Sequence, residues 1–278
     1  MDDAAAIERL RAAMAEPDEA LDLAAAALLL AELGHPQLDP RRSRQALDDL
    51  AAGLRERLGP ATPPEAGAAV LGQYLGHDRG FTGNVEDYYD PANSYLNEVL
   101  ERRTGLPITL SVVYMEVGRR AGLAVQGIAF PGHFIVGVAD ATGVRYLDPF
   151  RRGTELTRAD LAEYLRQTYG AARPVRPAML RPASKHAIIV RMLRNLKHAY
   201  LRRGTLELAL RATDRLRALH PESLEERRDR AVLLFHLGRW REARQDLTAY
   251  LTAQPRGPDA PLLRGLLDTV ETVLMTVN

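Results

Sequence analysis

Cysteine is absent from the 278 residues, which excludes disulfide scaffolds, thiolate zinc sites, iron–sulfur clusters and any cysteine nucleophile. Lysine is nearly absent too: of 37 basic residues, only Lys185 and Lys197 are lysine and the rest are arginine. The longest wholly apolar run, Leu23–Ala31, is too short to cross a bilayer, so no membrane span is expected. Asp2 and Asp3 open the chain where a secretory leader would carry positive charge, and the expected location is cytoplasmic. Neither sign of charge is in surplus: the formal net charge is +1. Global attraction to nucleic acid or anionic lipid is therefore not implied, and no recognition-helix or stacking motif supplies a local reason for it. No two of the 7 histidines stand four apart as a zincin helix requires, so neither a metal centre nor any other cofactor is expected.

What is present is an ordinary globular composition, 46% hydrophobic and 26% charged, long enough for one large or two modest domains at roughly 150 residues each. Asp39-Pro40 reads as an N-cap followed by proline at the first helical position, and Leu47, Leu50, Leu54 and Leu58 then recur at helical spacing up to Gly59. Asp90-Pro91 repeats the device. It predicts one helix with Ala92, Tyr95, Leu96, Val99 and Leu100 on one face and Asn93, Asn97 and Glu101 stacked on another. Leu106-Pro107 opens a further helix that is apolar on most sides and therefore central and buried. After Gly122 the period changes to two. Residues 124–130, 133–138 and 144–147 read as short strands, the last two joined through a hairpin at 140–143. Thr157 and Asp160 cap one more helix. The Pro/Ala/Arg-rich stretch 171–184 reads as a linker between a first domain, 1–170, and a second, 185–278. No acid occurs between Glu163 and Glu207. This basic stretch reads as a solvated or internally paired surface, with Glu16, Asp18, Glu19 and Asp22 as partners within the chain.

The second domain carries a repeat. Gly204 and Gly238, Ala209 and Ala243, and Pro221 and Pro255 are each 34 residues apart, the tetratricopeptide period, with glycine at the turn between helices and alanine where they cross. One position divides the repeats: Lys197 in the first corresponds to Ala231 in the second. Leu263, Leu266, Leu267, Val270 and Leu274 form a final amphipathic helix that caps the array.

The first domain presents a buried helix, a strand that begins with His133 and a strand ending in Asp148. Papain-like and transglutaminase-like sites use this order, with a nucleophile at the helix N-terminus, histidine as base and aspartate orienting the imidazole. The motifs around these residues are 80–84 (GFTGN), 88–97 (YYDPANSYLN), 105–110 (GLPITL), 130–134 (FPGHF) and 147–150 (LDPF). With them the chain resembles the bacterial SirB-type family of transglutaminase-like proteins, whose core is followed by tetratricopeptide repeats. The resemblance covers nearly the whole chain. It implies a mostly helical α+β fold: a transglutaminase-like (papain-like) core with a short antiparallel sheet, then a tetratricopeptide array of α-helical hairpins.

Carried over by position, the resemblance puts Pro107 where active relatives have the catalytic cysteine. His133 matches the family histidine and Asp148 the aspartate before proline. Proline has no nucleophilic atom, so a histidine and an aspartate remain without their nucleophile. Thr109 and Ser111, on the same helix, are the candidates to replace it, or else hydroxyls bonded to the helix backbone. Asn93 and Asn97 could project into the His133 cleft as hydrogen-bond donors, or fasten their helix to the loop at 80–84. The reading favours a non-catalytic binding, regulatory or adaptor protein that engages a protein or peptide through its repeats and a His/Asp cleft. The alternative is a hydrolase or acyltransferase acting on amide or peptide bonds, with His133 as base for water, Thr109 or Ser111.

Overall fold

The computed structural model describes residues 3–60 and 62–277; Asp2, on which the expected location partly rests, lies outside them. Among the described residues the helices are α1 (Asp3–Met14), α2 (Leu23–Ala31), α3 (Pro40–Leu58), α4 (Gly67–Gly72), α5 (Leu96–Arg102), α6 (Pro107–Arg120), α7 (Arg158–Tyr169), α8 (Lys185–Arg202), α9 (Leu206–Leu219), α10 (Leu224–His236), α11 (Trp240–Ala253) and α12 (Ala260–Val277). The strands are β1 (Thr82–Gly83), β2 (Thr104–Gly105), β3 (Ala124–Ile128), β4 (Ile135–Asp140), β5 (Gly143–Asp148) and β6 (Thr154–Leu156). None of the helices is long and apolar enough to cross a membrane.

By its internal contacts the chain falls into two units, Glu16–Met192 and Met1–Ala15 with Leu193–Asn278. The division runs inside α8 and groups α1 with the repeats, a different partition from the one expected at 171–184. That stretch is not a free linker. Its apolar residues Val175, Met179 and Leu180 pack on a cluster that includes Ile128, Phe130, Leu156, Leu161 and Tyr164. Ala183 N–H donates to the Gly127 carbonyl at 2.8 Å. Prolines punctuate the segment, but its apolar side chains outweigh them by covering one end of the sheet. The basic stretch finds part of the partner expected for it: Lys185 Nζ donates to the carbonyls of Glu19 and Leu21, and His186 Nδ1 lies 2.8 Å from Asp18 Oδ1.

In the larger unit, α6 is buried from Pro107 through Gly118. A helix apolar on most sides belongs inside, and it packs among α3, α5, β3 and β4. Four antiparallel strands run in the order β3-β4-β5-β6. The expected hairpin forms with Asp140 opposite Gly143, and Asp140 Oδ1 accepts from the Thr142 N–H at 2.6 Å. Strand β6 lies outside the sequence expectation; it follows Gly153, whose φ of +70° only glycine adopts freely. A methyl group added to Gly153 would come within 2.7 Å of both Gly72 Cα and Tyr114 Oη, so α4 and α6 lie directly against this turn.

The helix expected to run on from Asp90-Pro91 is broken. Asp90 caps it as anticipated, accepting from Ala92 N–H at 3.0 Å, but only a 3-10 turn forms over Pro91–Ser94. Tyr95 is extended (φ −90°, ψ 123°) and α5 starts after it. The cause is non-local: the Asn93 carbonyl accepts from Leu106 N–H at 3.1 Å instead of from the next helical turn.

In the other unit, α9 to α12 follow one another as antiparallel hairpins. Gly204 and Gly238 turn with φ of +68° and +71°, and Ala209 and Ala243 are completely buried at the helix crossings. Asp3 of α1 accepts from Arg215 Nη2 on α9 at 2.8 Å.

Candidate functional site

Antiparallel pairing sets the site. With Val136 opposite Leu147, the start of β4 and the end of β5 meet at one end of the sheet. Gly132, at φ +74°, turns the chain into β4, and His133 N–H donates to the Phe130 carbonyl at 3.0 Å. Asp148 ends β5 and caps the following 3-10 turn, accepting from Phe150 N–H at 2.9 Å. His133 Nε2 then lies 3.0 Å from Asp148 Oδ1.

Asp148 has no exposed surface, and a third donor completes its shell: Tyr164 Oη donates to Oδ2 at 2.5 Å. Burial on its own would raise the Asp148 carboxyl pKa, but the donors from His133, Tyr164 and the Phe150 backbone hold it below the ordinary carboxylate value. The same contact acts in reverse on Tyr164, whose phenol is pushed up by burial and by the neighbouring carboxylate. Tyr114 on α6 is raised as well, by burial and then by the charge on Asp148.

The imidazole of His133 is 16% exposed and wedged between rings, 4.9 Å from that of Tyr164 and 6.2 Å from that of Phe150. It opens onto a cleft of about 300 Å³ whose walls include Phe150, Arg151, Tyr164 and Thr168. The Arg151 guanidinium lies 5.1 Å over the Tyr164 ring, with Nε 3.9 Å from Asp148 Oδ2. A hydrogen-bonding imidazole, a saturated carboxylate and a cation thus converge on one hollow. Among the described residues no three His, Asp or Glu side chains group as a metal site would need.

The other expected residues are not gathered there. Pro107 is the first residue of α6 and is buried. Thr109 and Ser111 are both fully buried, Ser111 Oγ donating to the Pro107 carbonyl at 2.7 Å. As substitute nucleophiles they are therefore misplaced: neither oxygen meets solvent, because α6 is packed on all sides and its hydroxyls turn inward. Asn93 and Asn97 are separated by the break at Tyr95. Buried Asn93 donates to the Asp87 carbonyl at 2.7 Å and accepts from Asn84 Nδ2 at 3.1 Å, fastening the loop before it. Asn97 lines a different hollow with Leu38, Arg42 and Glu101.

Tyr164, Phe150 and Arg151 are site residues that the sequence reading does not single out. Tyr164 offers one signal: it follows the Thr157/Asp160 cap beside Leu161 and Leu165 at helical spacing, on the face of α7 that must look inward.

A family description, the transglutaminase-like superfamily, matches residues 41–194, and a tetratricopeptide repeat description matches 196–268. A protein of Xylella fastidiosa named UPF0162 is 38% identical over 253 residues, covering 90% of each chain. A Vibrio cholerae UPF0162 protein is 33% identical over 187 residues, 66% of this chain and 68% of its own. Human F-box only protein 21 is 32% identical over 173 residues, which cover 58% of this chain and 27% of that one. No solved structure matches. The chain therefore belongs to the transglutaminase-like superfamily, in the form that carries tetratricopeptide repeats after the core.

Proposed function

We propose that the chain is a non-catalytic binding protein: its His133–Asp148 cleft holds part of a partner polypeptide and its repeats hold more of it. A transglutaminase-like domain joined to tetratricopeptide repeats supports a binding or adaptor role. The finer reading rests on one observation. The resemblance puts Pro107 at the position of the nucleophile, the nearby hydroxyls of Thr109 and Ser111 are sealed, and yet the His133–Asp148–Tyr164 array is complete and opens to a cleft. The hydrolase alternative is left with water as its nucleophile.

The test is turnover. Across a panel of amide and ester substrates, the full chain should show no hydrolysis or acyl transfer, and a fluorophosphonate should leave Thr109 and Ser111 unlabelled. Turnover abolished by both His133→Ala and Asp148→Ala would overturn the proposal, since only a catalytic imidazole makes the rate depend on both.

A further inference from the structure

Arg191 stands directly behind His133 and has no acid of its own. Its Nη2 donates to the His133 carbonyl at 3.2 Å, and its guanidinium carbon lies 5.3 Å over the Phe134 ring. Among the described residues it forms no ion pair. A guanidinium carries five N–H donors, and this one spends a single donor on a neutral carbonyl. Partial burial of a cation without a counter-charge costs free energy that a carboxylate would return. Burial accordingly lowers the pKa of Arg191, and only its neighbour Tyr88 opposes this.

The surroundings define what would fit. The one acid that lines the cleft, Asp148, is saturated by three donors, which leaves Arg151 as the charged group on the cleft wall, with Arg191 against the His133 carbonyl. Beside them runs an aromatic shelf. Phe150 packs edge-on to Tyr88 at 6.1 Å and Tyr88 edge-on to Tyr89 at 5.4 Å, and Tyr88 and Tyr89 are each 44% exposed. Rings so exposed offer faces and edges to another ring.

We infer that Arg191 and the Tyr88–Phe150 shelf form an anion-binding subsite that takes a carboxylate adjoining an aromatic side chain in a partner peptide. This rests on the binding reading of the same cleft. The planar guanidinium pairs with the carboxylate through the N–H groups it has not spent, and the ring of the ligand lies on the shelf.

The experiment titrates the full chain with N-acetyl-L-tyrosine and, separately, with its neutral amide, N-acetyl-L-tyrosinamide, following the His133 ring resonances by NMR. The acid should bind about tenfold more tightly than the amide, a difference of about 1.4 kcal/mol. Arg191→Gln should abolish that preference. In the unmutated chain the preference should shrink as salt rises, a readout that needs no variant. Equal affinity for the two probes, a preference that survives Arg191→Gln, or no binding of either probe would each overturn the subsite. Hydrolysis of N-acetyl-L-tyrosine ethyl ester would sink the non-catalytic reading and leave the subsite standing. Equal binding without hydrolysis would do the reverse.

Discussion

Lys197 is the position at which the two repeats differ in chemistry, and its loss should be severe. Its Nζ lies 2.7 Å from Glu226 Oε2 and 2.7 Å from Asp229 Oδ2, with 2% of the lysine side chain and 1% of Glu226 exposed. At an effective dielectric of about 20, one such pair attracts by about 6 kcal/mol, most of which is offset by several kcal/mol of lost hydration per ion. Lys197→Met keeps the length and removes the charge. Glu226 and Asp229 then keep their desolvation cost, with Arg194 on Glu226 at 3.2 Å and Arg228 on Asp229 at 2.7 Å as the remaining compensation. Breaking a buried pair from one side costs about 3–5 kcal/mol, which for a domain of about 100 residues lowers the melting temperature by about 12 °C or more. Thermal unfolding followed by circular dichroism measures it. The double variant Lys197→Met/Glu226→Met should recover part of the loss, because the stranded carboxylate goes too. A single-variant loss below about 1 kcal/mol, or a double variant no more stable than the single, would refute the reasoning.

The remaining expectations concern the His133 site. Tyr164→Phe removes the donor to Asp148 Oδ2 and should cost about 1.5–3 kcal/mol in chemical denaturation; the Asp148 pKa should rise at the same time, seen as acid unfolding that begins at higher pH. The Asp148 carboxyl titrates lower in the folded chain than in the unfolded one. Its contribution is therefore fully present above about pH 4 and is lost as pH falls through the folded value, so the advantage of the unmutated chain over Asp148→Asn should shrink in acid. A gap in melting temperature that stayed constant down to about pH 2 would contradict that sign. Gly153→Ala places a methyl against Gly72 and Tyr114 at a positive φ and should cost about 2–4 kcal/mol, measured by urea unfolding.

Features that depend on local stereochemistry are legible in the amino-acid order alone. Gly204 and Gly238 announce the turns of the repeats because a positive φ has few other occupants, and Asp39-Pro40 announces α3 because cap and proline act within one turn. His133 and Asp148 are legible as a pair through the strands that carry them. What the amino-acid order hides is set by distant partners. Nothing near Asn93 says that its carbonyl is claimed by Leu106, so the break at Tyr95 and the parting of Asn97 from Asn93 have no local sign. Val175, Met179 and Leu180 read as stray apolar residues among prolines, because the sheet end they cover is built from residues far away in the chain. Tyr164 reads as one more core aromatic; its hydroxyl has a role only because α7 returns over Asp148.

The protonation of the site limits what a ligand can offer it. Asp148, held below the ordinary carboxylate value, is ionised near neutral pH and can only accept hydrogen bonds. Across the 3.0 Å contact His133 must therefore donate from Nε2, and a neutral ring then carries its lone pair on Nδ1. In a cysteine enzyme that lone pair takes the proton of the thiol. Here the chain contains no cysteine, and Pro107, which the resemblance puts at the position of the nucleophile, has neither an acidic side-chain proton nor an N–H to give. On the binding role proposed above, a neutral ring leaves that lone pair to the ligand, which meets it with an N–H or O–H. A peptide does so with its backbone amide. Replacing His133 by Asn, which keeps hydrogen-bonding capacity but not the reach from the Asp148 side to the far edge of the ring, should therefore weaken N-acetyl-L-tyrosinamide as much as N-acetyl-L-tyrosine, whereas Arg191→Gln should weaken the acid more than the amide. Identical profiles for the two variants in the same titration would mean that imidazole and guanidinium do not serve separate parts of one ligand.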